Sequence, residues 1–199
     1  MPNVLLLCTL IIFSMKRLFI ATKLKPDDNT LRIYNSMRRV LGYNKIRWVE
    51  PDNFHLTFKF LGNTPESKIP LVIDVIKKTV ETYGIINMDI NKVGIFGSRY
   101  NPRVIWLGID ENKQLKKLGL DLINNLDEVG FLKDRQNFVP HITVGRISKI
   151  TDKQLFNSDI DKVKGAFLQQ TIVDKIVLFE SILSRKGPLY NEIYCTSMT

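Results

Sequence analysis

Residues 54–60 read FHLTFKF and residues 140–146 read PHITVGR. The chain has 199 residues and two histidines, and each histidine opens a His-x-Thr tetrad within an alternating apolar stretch. Successive side chains of a strand point to opposite faces. His55, Thr57 and Lys59 are then expected on one face, with Leu56, Phe58 and Phe60 on the other, while His141 and Thr143 stand together over Ile142 and Val144. A single histidine on a strand is ordinary structure. Two in matched tetrads put two imidazoles and two hydroxyls on the polar faces of two strands.

Working outward, Lys16–Ala21 reads as a strand, and KPDDNT at 25–30 supplies turn and capping residues. Leu31, Tyr34, Met37 and Leu41 follow at helical spacing, with Gly42 as the stop. IRWV and HLTFKF read as strands joined by the turn EPDN. A second helix is expected from about Glu66 to Tyr83, closed by Gly84. The strand MDINKVGIF, the loop GSRYNPR and the strand VIWLGI come next. ENKQLKKLGLDLINNLDEV forms an amphipathic helix closed by Gly130, HITVGRI is a strand, and further strands are expected at Ile172–Phe179 and Leu189–Cys195. Strand pairs joined by tight turns argue for antiparallel sheets and an α+β class, and the two tetrads suggest a weak internal duplication.

Hydrophobic residues make up 44% and charged residues 25%, the balance of one folded unit. Against 20 acidic residues stand 29 Lys and Arg, a net +9 that attracts polyanions or serves solubility. Cys8 and Cys195 have no C-x-x-C spacing, so neither a disulfide framework nor a zinc knuckle is indicated, and a reducing cytoplasmic setting fits. The apolar run VLLLCTLIIF at 4–13 is too short to span a bilayer. Residues 1–14 are read as a non-native or disordered N-terminal extension, and 15–199 as a single two-lobed, monomeric domain without a membrane partner.

Imidazole titrates near 6.5, so one copy can accept a proton while another donates one. Phosphodiester cleavage needs both transfers, and threonine hydroxyls can bond the non-bridging oxygens. Zinc needs three or four protein ligands, which neither tetrad supplies, so no metal and no other cofactor is expected. A non-catalytic nucleotide- or RNA-binding module on the same scaffold is the alternative.

The segments RLFIA, RWVEPDNFHLTFKFLG, NPRVIWLGI, FVPHITVGRI and VLFESILSRKGPLY together resemble the two-histidine phosphoesterase superfamily, and within it the RNA 2′,3′-cyclic phosphodiesterase (LigT, 2′-5′ RNA ligase) family. The resemblance runs from about Met15 to Tyr194. It implies a bilobal fold in which two antiparallel sheets line a central cleft, with helices packed outside. It also implies hydrolysis of an RNA 2′,3′-cyclic phosphate to a 2′-phosphomonoester, and in some members the joining of 2′-5′ linkages in tRNA halves. By that likeness His55 protonates the departing O3′ and His141 activates water, although the sequence alone admits the swapped assignment; Thr57 and Thr143 hold the phosphate, and Arg146 binds phosphate or substrate. Strict alternation puts Arg146 on the face away from His141, so either a bulge or the strand's end is needed to bring it to the cleft. Lys59, facing His55 by period, joins the candidates, with a solvated or core-rim lysine as an equally good reading. Phe138 and Trp48 are candidates to stack on a base, though core packing is the commoner role for such aromatics, and Arg99 and Arg103 either follow an RNA backbone or simply face solvent.

Overall fold

A computed structural model describes residues 14–134, 137–184 and 187–199. Strand β1 (Met15–Lys23) leads to helix α1 (Asp28–Val40), strand β2 (Lys45–Trp48) and strand β3 (His55–Pro65). Then come α2 (Ile69–Val80), β4 (Ile86–Ser98), β5 (Asn101–Ile109), α3 (Lys113–Glu128) and β6 (His141–Lys149). The chain ends with α4 (Lys153–Asp161), β7 (Gln169–Val173), β8 (Lys175–Ser184) and β9 (Gly187–Ser197). Local chemistry sets three of the helix starts. Asp27, Asn112 and Asp152 each accept from backbone N–H groups of the first turn, which satisfies donors that have no intrahelical partner.

The strands lie in the order β7-β4-β5-β6-β3-β1-β8-β9, with β2 also paired to β6, and every pairing is antiparallel. The order falls into two four-stranded halves, each with its His-x-Thr strand at the inner edge. They meet at the bridge between Leu56 of β3 and Ile142 of β6. Both residues are fully buried in one continuous apolar core, with Leu18, Ile105, Leu118, Val144 and Leu178 among its members. Hydrocarbon removed from water at roughly 25 cal/mol per Å² holds the helix layer to that side of the curled sheet.

Three elements depart from the sequence reading. GSRYNPR is mostly strand, because β4 and β5 pair almost to their tip, with Gly97 at φ +100° where a side chain would be strained. Helix α4 was not anticipated; its apolar signal is short, resting on Phe156 and Ile160. The expected strand Ile172–Phe179 is two strands. It breaks at Asp174, where the chain leaves β4 in one half and joins β1 in the other. Of the expected N-terminal extension, residues 1–13 lie outside the described residues, and Ser14 bonds Glu66 through its hydroxyl. Among the described residues no helix is long and apolar enough to cross a membrane.

Candidate active site

The bridge between Leu56 and Ile142 fixes the geometry of both motifs. Continuing its antiparallel register one residue each way sets His55 toward Thr143 and Thr57 toward His141, on the face opposite the buried pair. The four polar side chains of the tetrads therefore gather on one face about a local two-fold. Neither threonine hydroxyl has a hydrogen-bond partner among the described residues, so both are available to an incoming group.

Each imidazole is held in the same way. The Nδ1–H of His55 donates to the carbonyl of Asn53 at 2.6 Å, and that of His141 donates to the carbonyl of Val139 at 2.7 Å. A carbonyl only accepts, so Nδ1 carries the proton and Nε2 is the free ring nitrogen. Burial pushes both rings below the ordinary histidine value of 6.5, against the backbone hydrogen bonds that favour the charged form. The guanidinium of Arg146 lowers both further, and His141 adds a smaller effect on His55. Arg146 thus lies near enough to act on both imidazoles.

Of the two routes open to Arg146, a bulge or the strand's end, the structure uses the bulge. The β5–β6 register steps from Trp106 opposite Thr143 to Ile105 opposite Gly145, leaving Val144 as the extra residue. Val144 and Gly145 are both buried, and Arg146 returns to the face of His141 and Thr143. The other half repeats the device. Ala21 opposes Thr57 while Ile20 opposes Lys59, so Phe58 is the extra residue. Phe58 and Lys59 turn inward, and Phe60 turns out to the histidine face, 56% exposed.

That second bulge corrects the reading of Lys59. Its side chain is 3% exposed, and its Nζ donates to the carbonyl of Leu132 at 2.7 Å and to Asp134 at 3.0 Å, on the helix side of the sheet. Lys59 ties down the segment between α3 and β6 and does not reach the histidines. Phe138 is corrected too. It stacks on Phe58 and lies against Gly119 of α3, where any β-carbon would meet its ring, so it packs in the core layer. Trp48 is likewise turned to the core, edge-on to Tyr34. Arg99 pairs with Asp161 of α4 beside an open depression of about 610 Å³ that contains neither histidine, and Arg103 is exposed near the strand tip.

The aromatic groups that do flank the histidines were missed. Phe19 lies 5.2 Å from the His55 ring and Tyr190 meets it edge-on at 5.3 Å, with Phe179 and Phe60 packed around Phe19. Phe96 meets His141 edge-on at 4.7 Å and leans on Trp106. The Trp106 ring lies over Gly94 and Gly108, which lack the β-carbons that would displace it, and its buried Nε1–H has no partner among the described residues. Alternation in RLFIA signals Phe19 once the register with β3 is known, whereas Phe96 and Tyr190 come from segments whose register with the histidine strands the sequence does not show. Beside His55 a recess of about 40 Å³ runs between Phe19, Asn53, Phe179 and Tyr190, room for a water or two.

A duplicated antiparallel α+β frame with one His-x-Thr strand in each half is the architecture of a two-histidine phosphoesterase. A family model described as LigT like Phosphoesterase matches residues 24–106 and again 107–190, one tetrad in each. An RNA 2′,3′-cyclic phosphodiesterase of Thermotoga maritima is 34% identical over 148 residues, covering 74% of this chain and 76% of its own. One from Methanothermobacter thermautotrophicus is 27% identical over 179 residues, covering 89% and 96%. The crystal structure of E. coli LigT complexed with 3′-AMP superposes with a TM-score of 0.72 at 22% identity, covering 94% of this chain and 99% of that one. The chain belongs to the LigT-like phosphoesterase family.

Proposed function

We propose that this protein is an RNA 2′,3′-cyclic phosphodiesterase that opens a terminal cyclic phosphate with His55 and His141 as an acid–base pair and without a metal. The reading rests on one observation above all: both Nδ1 atoms are tied to backbone carbonyls, so both Nε2 atoms are free over a single face that also bears two unpartnered threonine hydroxyls. Water, deprotonated by neutral His141, adds its oxygen to phosphorus. The bond from phosphorus to O3′ breaks, protonated His55 gives O3′ its proton, and O2′ keeps the phosphate. Thr57, Thr143 and Arg146 hold the non-bridging oxygens as charge develops on them. The same steps with an RNA 5′-hydroxyl in place of water form a 2′-5′ linkage. The names of the relatives, all RNA 2′,3′-cyclic phosphodiesterases, support the substrate class.

The test is product analysis on a short RNA ending in 2′,3′-cyclic phosphate, with EDTA present. A 2′-phosphomonoester formed at an undiminished rate is expected. Binding without turnover would mark a recognition module instead, and a 3′-phosphomonoester would reverse the assignment of the departing oxygen.

A further inference from the structure

We infer that β2 and the distal part of β6 form a phosphate track that holds the RNA strand on the 5′ side of its cyclic-phosphate end. The inference rests on the reading of the histidine site as an RNA phosphodiesterase and adds a second binding site to it. Arg47 of β2 is the direct cross-strand partner of Arg146, and Lys45 is that of Lys149. Directly opposed residues of an antiparallel pair project from the same face. Lys45 and Arg47 are exposed while Ile46 and Trp48, between and after them, pack against the core, so the two β2 cations share the outward face. Arg146 and Lys149 are exposed as well. The strip thus starts at the guanidinium that already acts on both imidazoles and runs away from them along two strands.

Like charges set directly opposite one another destabilise a sheet. This strip has two such rungs, Arg47 with Arg146 and Lys45 with Lys149, and none of the four cations forms an ion pair with a described residue. Other surface cations are unpaired too, but among the described strand pairings these are the only rungs that set one lysine or arginine directly opposite another. A row of unneutralised cations leading out of a phosphate site is the footprint of a polyanion, and a single-stranded backbone is the polyanion that such a groove follows. Chemistry sets the direction. A 2′,3′-cyclic phosphate ends its strand, so every further phosphate lies 5′ to it. Bound at the histidines, the end must send the rest of the strand out along some exit, and this one carries the complementary charge.

The experiment compares two substrates that share one reacting end: adenosine 2′,3′-cyclic phosphate and a six-nucleotide RNA ending in the same group. They are assayed with wild type, Arg47→Ala and the triple variant Lys45→Ala/Arg47→Ala/Lys149→Ala across a salt series. Wild type should favour the hexamer in kcat/KM. The triple variant should lose on the order of tenfold or more on the hexamer and stay within about twofold on the mononucleotide. Each cation removed should lower the salt slope for the hexamer by about 0.7. Equal loss on both substrates, or no loss on either, overturns the track. Failure of wild type on both substrates would instead sink the phosphodiesterase reading itself. Thermal melting of the triple variant, expected at or above wild type because like-charge rungs are relieved, separates lost binding from lost folding.

Discussion

Leu56 and Ile142 are direct antiparallel partners, and through them β3 touches β6. Each stands in the middle position of a His-x-Thr run, so this one contact sets the spacing of the two histidines and the two threonines. The apolar faces of the tetrads are as necessary to the site as the polar ones.

Truncating one of the pair should therefore harm both fold and rate. Leu56→Ala removes a fully buried side chain and is expected to destabilise the protein by about 2–5 kcal/mol. In protein that remains folded, kcat should fall more than KM rises, because the two halves of the catalytic set lose register. Urea titration and steady-state kinetics at low temperature check the two parts.

The pH dependence follows from the direction of both shifts. Each free-enzyme imidazole is pushed below 6.5 by burial, and in the proposed mechanism the working form carries one proton on the pair. That form declines once pH exceeds both values, so kcat/KM should peak on the acid side of 6.5 and fall through neutrality. A bound phosphate anion favours the protonated acid, so the alkaline limb of kcat should lie at higher pH than that of kcat/KM. A kcat/KM that rises between pH 7 and 9 would contradict the geometry.

Lys59 gives a test of its corrected place. Lys59→Met removes the hydrogen bonds to Leu132 and Asp134, and a loss of roughly 1–3 kcal/mol in stability is expected. KM for a cyclic-phosphate substrate should hardly change. A large rise in KM with intact stability would return Lys59 to the phosphate site.

Much of this was legible in the chain itself. The tetrads located the two inner strands, and helix spacing with Asp, Asn and Gly punctuation located α1 and α3. What alternation could not show was where it breaks. A bulge is one extra residue, and FK at 58–59 looks the same as any inward–outward pair until its partner strand is in place. Alternation puts Lys59 on the wrong face for that reason, whereas a bulge in β6 carries Arg146 to the histidine face. Phe138 takes the core role, the commoner of its two readings, and Gly119, a helix-weakening residue on the apolar face of α3, signals that close approach. Cross-strand rungs such as Arg47 with Arg146 depend on register, which no single strand encodes.

The Gly119 contact can be checked directly. Alanine for glycine inside a helix ordinarily stabilises by about 1 kcal/mol, but here the new β-carbon would overlap the Phe138 ring. Gly119→Ala is expected to destabilise by about 1–3 kcal/mol, and Phe138→Leu should recover part of that loss in the double variant. Additive effects in a double-mutant cycle would show that the two residues do not touch.

The most direct measurement of the account asks whether the imidazoles serve opposite sides of one phosphorus. Single-turnover rates are taken in EDTA for wild type, His55→Ala and His141→Ala, on a cyclic-phosphate RNA and on its analogue with sulfur in place of O3′. A thiolate leaves without a proton, so the analogue should restore His55→Ala to within about tenfold of wild type. His141→Ala should remain slower by on the order of 10²-fold or more on both substrates. Equal loss in both variants on both substrates, or full activity in either variant on the natural one, would contradict the account.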